Sequence, residues 1–167
     1  TGGGSGIGAA LAHEFHAAGN QVIIAGRRQA PLDAMAADHP GMATMTLDMT
    51  DAGDITAFAD RIVEQFPALN AVLLNAGIMV AEQGIDLDVA EATVATNLLG
   101  PIRLAHALLP QLEAQANATI LTVSSGLAFV PLAATPTYSA TKAAIHSWSL
   151  SMRAQLKGRV EIGRAHV

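Results

Sequence analysis

Tyr138 is the only tyrosine of the 167-residue chain, and one of its two lysines, Lys142, follows four residues later. On a helix that spacing puts both side chains on one face, and by chance it arises in roughly one of 80 such sequences. A phenol titrates at about 10 in water, too high for ready proton exchange at neutral pH. An ammonium beside it stabilises the phenolate, so the two together can act as a general acid and base. Ser125, thirteen residues before the tyrosine, ends an apolar run. It therefore falls at the carboxyl end of a strand, where open α/β folds place their ligands and where a hydroxyl can hold a carbonyl or alcohol oxygen. The alternative is a tyrosine packed in a core and a solvated lysine.

A second set of residues suits phosphate. Residues 1–8 read TGGGSGIG. Gly2 permits a tight turn, Gly6 a close backbone approach and Gly8 the packing of helix on strand, while Ser5 and Ile7 lie at the start of the helix whose free N–H groups point at a pyrophosphate. The next apolar strand ends Ala25-Gly26-Arg27-Arg28. An acidic residue there would bind the ribose 2'-hydroxyl of NAD. Here glycine and an arginine pair stand instead, which favours the 2'-phosphate of NADP(H). A solvated strand end is the alternative for Arg27 and Arg28.

These residues need a scaffold, and the hydrophobic pattern supplies one. Short Val/Ile/Leu runs at residues 22–25, 43–47, 71–75 and 119–124 alternate with helical periodicity over 6–18, 30–38, 52–66, 88–115 and 136–156. That alternation predicts an α/β domain with a doubly wound, Rossmann-like parallel sheet and helices on both faces. Leu11 and Phe15 are spaced for one buried face of the first helix, Gly19 supplies its stop, and Gly100-Pro101 predicts a kink or break in the fourth. The expected domain spans residues 1–160. A phosphate turn needs a strand before it, so the first strand and the true N-terminus are expected to lie outside the chain. Residues 161–167, EIGRAHV, look like the in-frame translation of a sequencing adapter and are set aside as a non-native tail, with an ordinary strand start as the alternative.

Composition narrows the function. A net charge of -5 leaves no electrostatic footprint for nucleic acid or an anionic membrane. No apolar run approaches the roughly 20 residues of a membrane span. The absence of cysteine removes disulfides and thiolate metal sites and agrees with a cytoplasmic setting. His13 and His16 are one helical turn apart, but with no third ligand in reach a surface helix is the expected reading, and no metal centre is expected.

Taken in order, the motifs resemble the short-chain dehydrogenase/reductase family from Thr1 to about Val160. Thr1, Gly2, Gly6 and Gly8 match its loop, Asp48 followed by Met49 its acidic residue beside the adenine, and Asn75-Ala76-Gly77 its Asn-Ala-Gly turn. Asn97, Ser125, Tyr138 and Lys142 fall where the family keeps its catalytic tetrad. Within the family the stretch after Val123 is similar to the branch named for D-alanine esterification of teichoic acids, a label from which no cell-wall role follows.

The resemblance implies reversible hydride transfer between NADP(H) and a small-molecule alcohol or carbonyl. Tyr138 would exchange the hydroxyl proton, Lys142 would also bind the nicotinamide ribose, and Asn97 would hold a proton-relaying water. For Asn97 a helix residue with a local backbone bond is the alternative. The family's sheet order would put the absent strand between those at 22 and 71, so activity is expected of the parent protein, as a homodimer or homotetramer, rather than of the chain alone. A non-catalytic NADP-binding or redox-sensing protein is the second reading, and a cofactor-free interaction module the third.

Overall fold

The apolar runs too short for helices form strands, all paired in parallel, in the computed structural model, which describes residues 1–167. The chain divides into two units, Thr1–Asp48 and Met49–Val167.

In the first unit a glycine turn leads into α1 (Gly6–Ala17), followed by β1 (Ile23–Gly26), α2 (Gln29–Ala37) and β2 (Ala43–Thr46). β1 and β2 pair from Ile23 opposite Ala43 to Gly26 opposite Thr46. Ala12, Ile24, Leu32 and Met42 form the core of this unit. The buried stripe of α1 is Gly8 and Ala12, not the expected Leu11 and Phe15, and Phe15 is 40% exposed. Small residues on that stripe let the helix backbone approach its neighbours, which a Leu/Phe stripe would hold off. Gly19 ends α1 as expected, with a φ of 85° that L-residues avoid. Beyond it a third histidine does reach the pair on α1: His39 Nε2 lies 2.8 Å from His13 Nδ1, and His16 Nε2 donates to the Pro40 carbonyl at 3.0 Å. These are exposed hydrogen bonds, and no group of three His, Cys, Asp or Glu side chains is arranged to hold a metal.

The second unit runs α3 (Ala52–Gln65), β3 (Ala71–Leu74), α4 (Leu87–Val94), α5 (Gly100–Glu113), β4 (Thr119–Ser124), α6 (Pro136–Gln155) and β5 (Glu161–His166). Its sheet has the order β3-β4-β5. Asp51 caps α3 by accepting from the N–H groups of Gly53 and Asp54 at 2.7 and 3.0 Å. The α3 positions Ile55, Phe58, Ala59 and Ile62 recur at helical spacing and are buried, as are Leu104, Leu108 and Leu112 of α5, on which α3 packs. Residues 161–166, set aside as a tail from their sequence, pair with β4 from Glu161 opposite Thr119 to His166 opposite Ser124, with Ile162 buried.

The long helical stretch at 88–115 does break, and the form of the break matters. Between α4 and α5 residues Ala95–Leu99 take a π-turn, in which the Gly100 N–H bonds back to the Ala95 carbonyl. In a regular helix residue 101 would donate to the carbonyl of residue 97, and Pro101 has no N–H to give. A π-turn accommodates that loss by widening the helix. Gly100 is required for another reason: a Cβ there would meet the Met49 carbonyl oxygen at 2.5 Å and the Met49 Cβ at 3.0 Å. Gly100→Ala should therefore destabilise the chain by about 1–3 kcal/mol through backbone displacement, measured as a lower urea midpoint with an unchanged slope. A variant as stable as the parent would show that the 49–100 contact gives way freely.

Candidate active site

The expected catalytic residues all lie in the second unit, on α6, in the π-turn and at the end of β4. Tyr138 is the third residue of α6 and is half-buried, and Lys142 lies one turn later and is buried. The Lys142 ammonium is 5.5 Å from the centre of the Tyr138 ring, so the four-residue spacing does bring the two groups together. What holds Lys142 is β4. Its Nζ donates to the Val123 carbonyl at 2.8 Å, and the Ser124 hydroxyl donates to the Lys142 carbonyl at 3.1 Å. Burial lowers the Lys142 titration below the ordinary lysine value of 10.5, because removal from water disfavours the charged form.

Ser125 follows β4 directly and is buried. It caps the short 3-10 turn Gly126–Ala128, its Oγ accepting from the Leu127 N–H at 3.2 Å. As an acceptor in that bond, the hydroxyl keeps its own proton for another partner. Asn97 occupies the middle of the π-turn and is 2% exposed. Its side chain grips the loop after β3: Oδ1 accepts from the Ile78 N–H and Nδ2 donates to the Ile78 carbonyl, both at 2.8 Å. Neither sequence alternative anticipated this tie across nineteen residues. It commits the side-chain amide to structure, so a water-holding role would fall to the Asn97 backbone, whose carbonyl has lost its regular donor to Pro101.

Gly77 sits where these groups converge. A Cβ there would lie 3.2 Å from Asn97 Oδ1 and 3.7 Å from Lys142 Nζ. Gly77, the last residue of the Asn75-Ala76-Gly77 motif, thus lies close against Asn97 and Lys142. Two residues that the sequence did not single out complete the network. Ser124 ties α6 to β4, and Thr141 donates to the Tyr138 carbonyl at 2.8 Å while taking a bond from Asn97 Nδ2 at 3.3 Å. Thr141 stands beside Lys142 in sequence, but only its 2% exposure marks it as more than a helix filler. Met49 is buried against Gly100 and reads as packing in this unit.

The first unit holds the residues read as nucleotide-binding. Gly2 and Gly6 have φ values of 68° and 54°, which glycine alone adopts at little cost, and nothing lies within 4 Å of where a Gly6 Cβ would be. Ser5 makes no side-chain cap to α1, so the first N–H groups of the helix, at Gly6, Ile7 and Gly8, have no such partner. An open cradle, uncapped N–H groups and the positive end of a helix dipole fit a diphosphate. Arg27 and Arg28 are exposed at the end of β1, and neither is in an ion pair. Asp48 is half-buried.

The chain as a whole is similar to known proteins. The family model for short chain dehydrogenases matches residues 1–164. An uncharacterized oxidoreductase DltE of Bacillus subtilis is 39% identical over 94% of the chain, and an NADPH-dependent 1-acyldihydroxyacetone phosphate reductase of Schizosaccharomyces pombe is 34% identical over 90%. The chain spans 64% and 51% of the lengths of these two relatives. A short-chain dehydrogenase from Streptomyces avermitilis superposes with a TM-score of 0.91 at 28% identity, over 99% of this chain and 61% of that one.

The buried ammonium gives stability a pH dependence of definite sign. Between its lowered value and 10.5 the unfolded chain holds the Lys142 proton and the folded chain does not, so stability from this group rises as pH rises through that window. Denaturant unfolding at several pH values should show wild type gaining on Lys142→Met as pH increases toward 10.5. A loss relative to the variant over that range would mean that burial is not what sets the Lys142 titration.

Proposed function

We propose, from the premise that this chain belongs to the short-chain dehydrogenase/reductase family, that its parent protein transfers hydride between NADP(H) and a hydroxyl or carbonyl group of a small molecule. The observation that carries the reading is the Tyr138–Lys142 pair, with the ammonium buried, fixed to the end of β4 and 5.5 Å from the phenol ring. NADPH, when bound, would supply the hydride for the carbonyl carbon. The Tyr138 hydroxyl donates the proton that turns the carbonyl oxygen into an alcohol, and takes it back in the reverse direction. Lys142 favours the charge left on the phenol and would hold the nicotinamide ribose. Ser125, with its proton uncommitted, orients the substrate oxygen. Asn97 keeps Ile78 in place and offers its backbone for a relay water.

The cofactor's diphosphate would be held at Gly2, Ser5, Gly6, Ile7 and Gly8, its 2'-phosphate by Arg27 and Arg28, its adenine beside Asp48 and Met49, and its nicotinamide side by Asn75, Ala76 and Gly77. The NADPH dependence stated for the Schizosaccharomyces relative supports the same choice of cofactor. No helix is long and apolar enough to cross a membrane, and a cytoplasmic location belongs to this proposal. So does subunit association: Leu99 and Leu150, beside α5 and on α6, are 40% and 45% exposed, as packing faces would be. The functional domain is residues 1–160, with 161–167 read as a non-native tail.

The test is carried out on the protein restored to the length of its relatives. NADPH binding is followed by fluorescence and carbonyl reduction by loss of absorbance. Tyr138→Phe should bind NADPH as before and lose turnover by about 100-fold or more. Replacing Arg27 and Arg28 together by alanine should weaken NADPH about tenfold to hundredfold and leave NADH unchanged. Failure to bind either nucleotide would sink the proposal, and tight binding with no turnover that Tyr138→Phe affects would favour a redox sensor.

A further inference from the structure

The loop after β3 is pinned a second time, four residues beyond Ile78. Glu82 donates its backbone N–H to the Ala134 carbonyl at 2.9 Å. Its carboxylate accepts twice from Thr137, Oε1 from the backbone N–H and Oε2 from the hydroxyl, each at 2.9 Å. Thr137 is the second residue of α6, after Pro136, which has no N–H, and Tyr138 is the third. The first N–H that this 20-residue helix offers is therefore capped by a carboxylate 55 residues away in sequence. The residue placed to do this locally does not: Thr135 makes no side-chain cap, and its buried Oγ1 has no hydrogen-bond partner. A negative charge at that end is also favoured by the helix dipole.

We propose that Glu82 is a positioning residue for proton transfer, acting through Thr137 to hold the first turn of α6 and with it the Tyr138 phenol. The proposal rests on the reading of Tyr138 as acid and base. The reason for a clamp lies in the division of labour along α6. Lys142 is fixed by β4 through Val123 and Ser124. Tyr138 lies one turn nearer the helix end, where helices fray. Its neighbours are both tied: Thr137 to Glu82, and Ser139 through its hydroxyl to the Thr135 carbonyl at 3.0 Å. Of these ties, the one to Glu82 alone reaches outside the segment leading into α6. Removing it leaves the ammonium in place and loosens the phenol, and small displacements of a reacting group cost rate steeply.

The experiment compares Glu82→Ala and Glu82→Gln in the protein restored to the length of its relatives. Because Tyr138 is the only tyrosine, ring-labelled tyrosine gives a single set of NMR signals reporting its setting. Glu82→Ala should shift and broaden those signals and lower kcat by about tenfold to hundredfold, with the KM for NADPH unchanged. Glu82→Gln can still accept from the Thr137 N–H and pair with its hydroxyl, and should restore both the signals and most of the turnover. A Glu82→Ala protein that melts earlier but keeps its kcat and tyrosine signals would overturn the proposal, leaving Glu82 a structural cap only. So would a Glu82→Gln variant as impaired as the alanine. If the unaltered protein reduces no carbonyl, the function proposed above fails, and the tyrosine signals of the two variants decide the role of Glu82 by themselves.

Discussion

The Lys142 ammonium is held inside the protein by the Val123 carbonyl, and the Lys142 carbonyl in turn takes a bond from Ser124. These two contacts fasten one point of α6 to the last turnable residues of β4, and the rest of the site is arranged around them. Burying an ammonium costs solvation, and a single carbonyl partner offsets part of that cost. The remainder appears as the lowered titration of Lys142. Deeper along the same helix, Ser149 meets Thr122 at 2.8 Å, so α6 is bonded to β4 at two levels and cannot rotate freely on the sheet. A helix fixed in rotation is what allows a four-residue spacing to become a reproducible geometry of phenol and ammonium.

The π-turn makes a comparable exchange. Pro101 deprives a helix of a donor and Gly100 makes room for the Met49 backbone, two residues that a stable isolated helix would avoid. In return the widened turn carries Asn97 to the backbone of Ile78, where its amide satisfies both an N–H and a carbonyl. Loops after strands are normally the mobile part of an α/β domain. Here the loop is held at Ile78 by Asn97 and at Glu82 by its bonds to Ala134 and Thr137. Local helix stability is lowered at one place, and the loop after β3 is held in return.

The residues of the first unit that were read as nucleotide-binding show the complementary pattern of groups without partners. Uncapped N–H groups at α1, positive-φ glycines and two exposed arginines outside any ion pair are each unremarkable singly. Their shared property is that each has capacity for an anion and no anion in the chain to meet it.

Much of this was legible in the sequence because it depends on local order. The Tyr138–Lys142 spacing, the glycine turn, the arginine pair and the alternation of strand and helix are properties of neighbouring residues, and backbone geometry translates them almost directly. Gly100-Pro101 announced a break, since proline's missing donor is a covalent fact. What the sequence did not carry was any pairing across distance. Asn97 with Ile78, Thr137 with Glu82, and Lys142 with Val123 join residues 19 to 55 apart, and nothing in the residue types chooses those partners over others. The stripe of α1 went wrong for the same reason: periodicity proposed Leu11 and Phe15, but the closeness of packing around Gly8 and Ala12 decided which face was buried. Sequence determined which chemical groups were present and which could share a helix face, and the tertiary structure decided which of them were held still, because immobilisation requires a second contact from elsewhere in the chain.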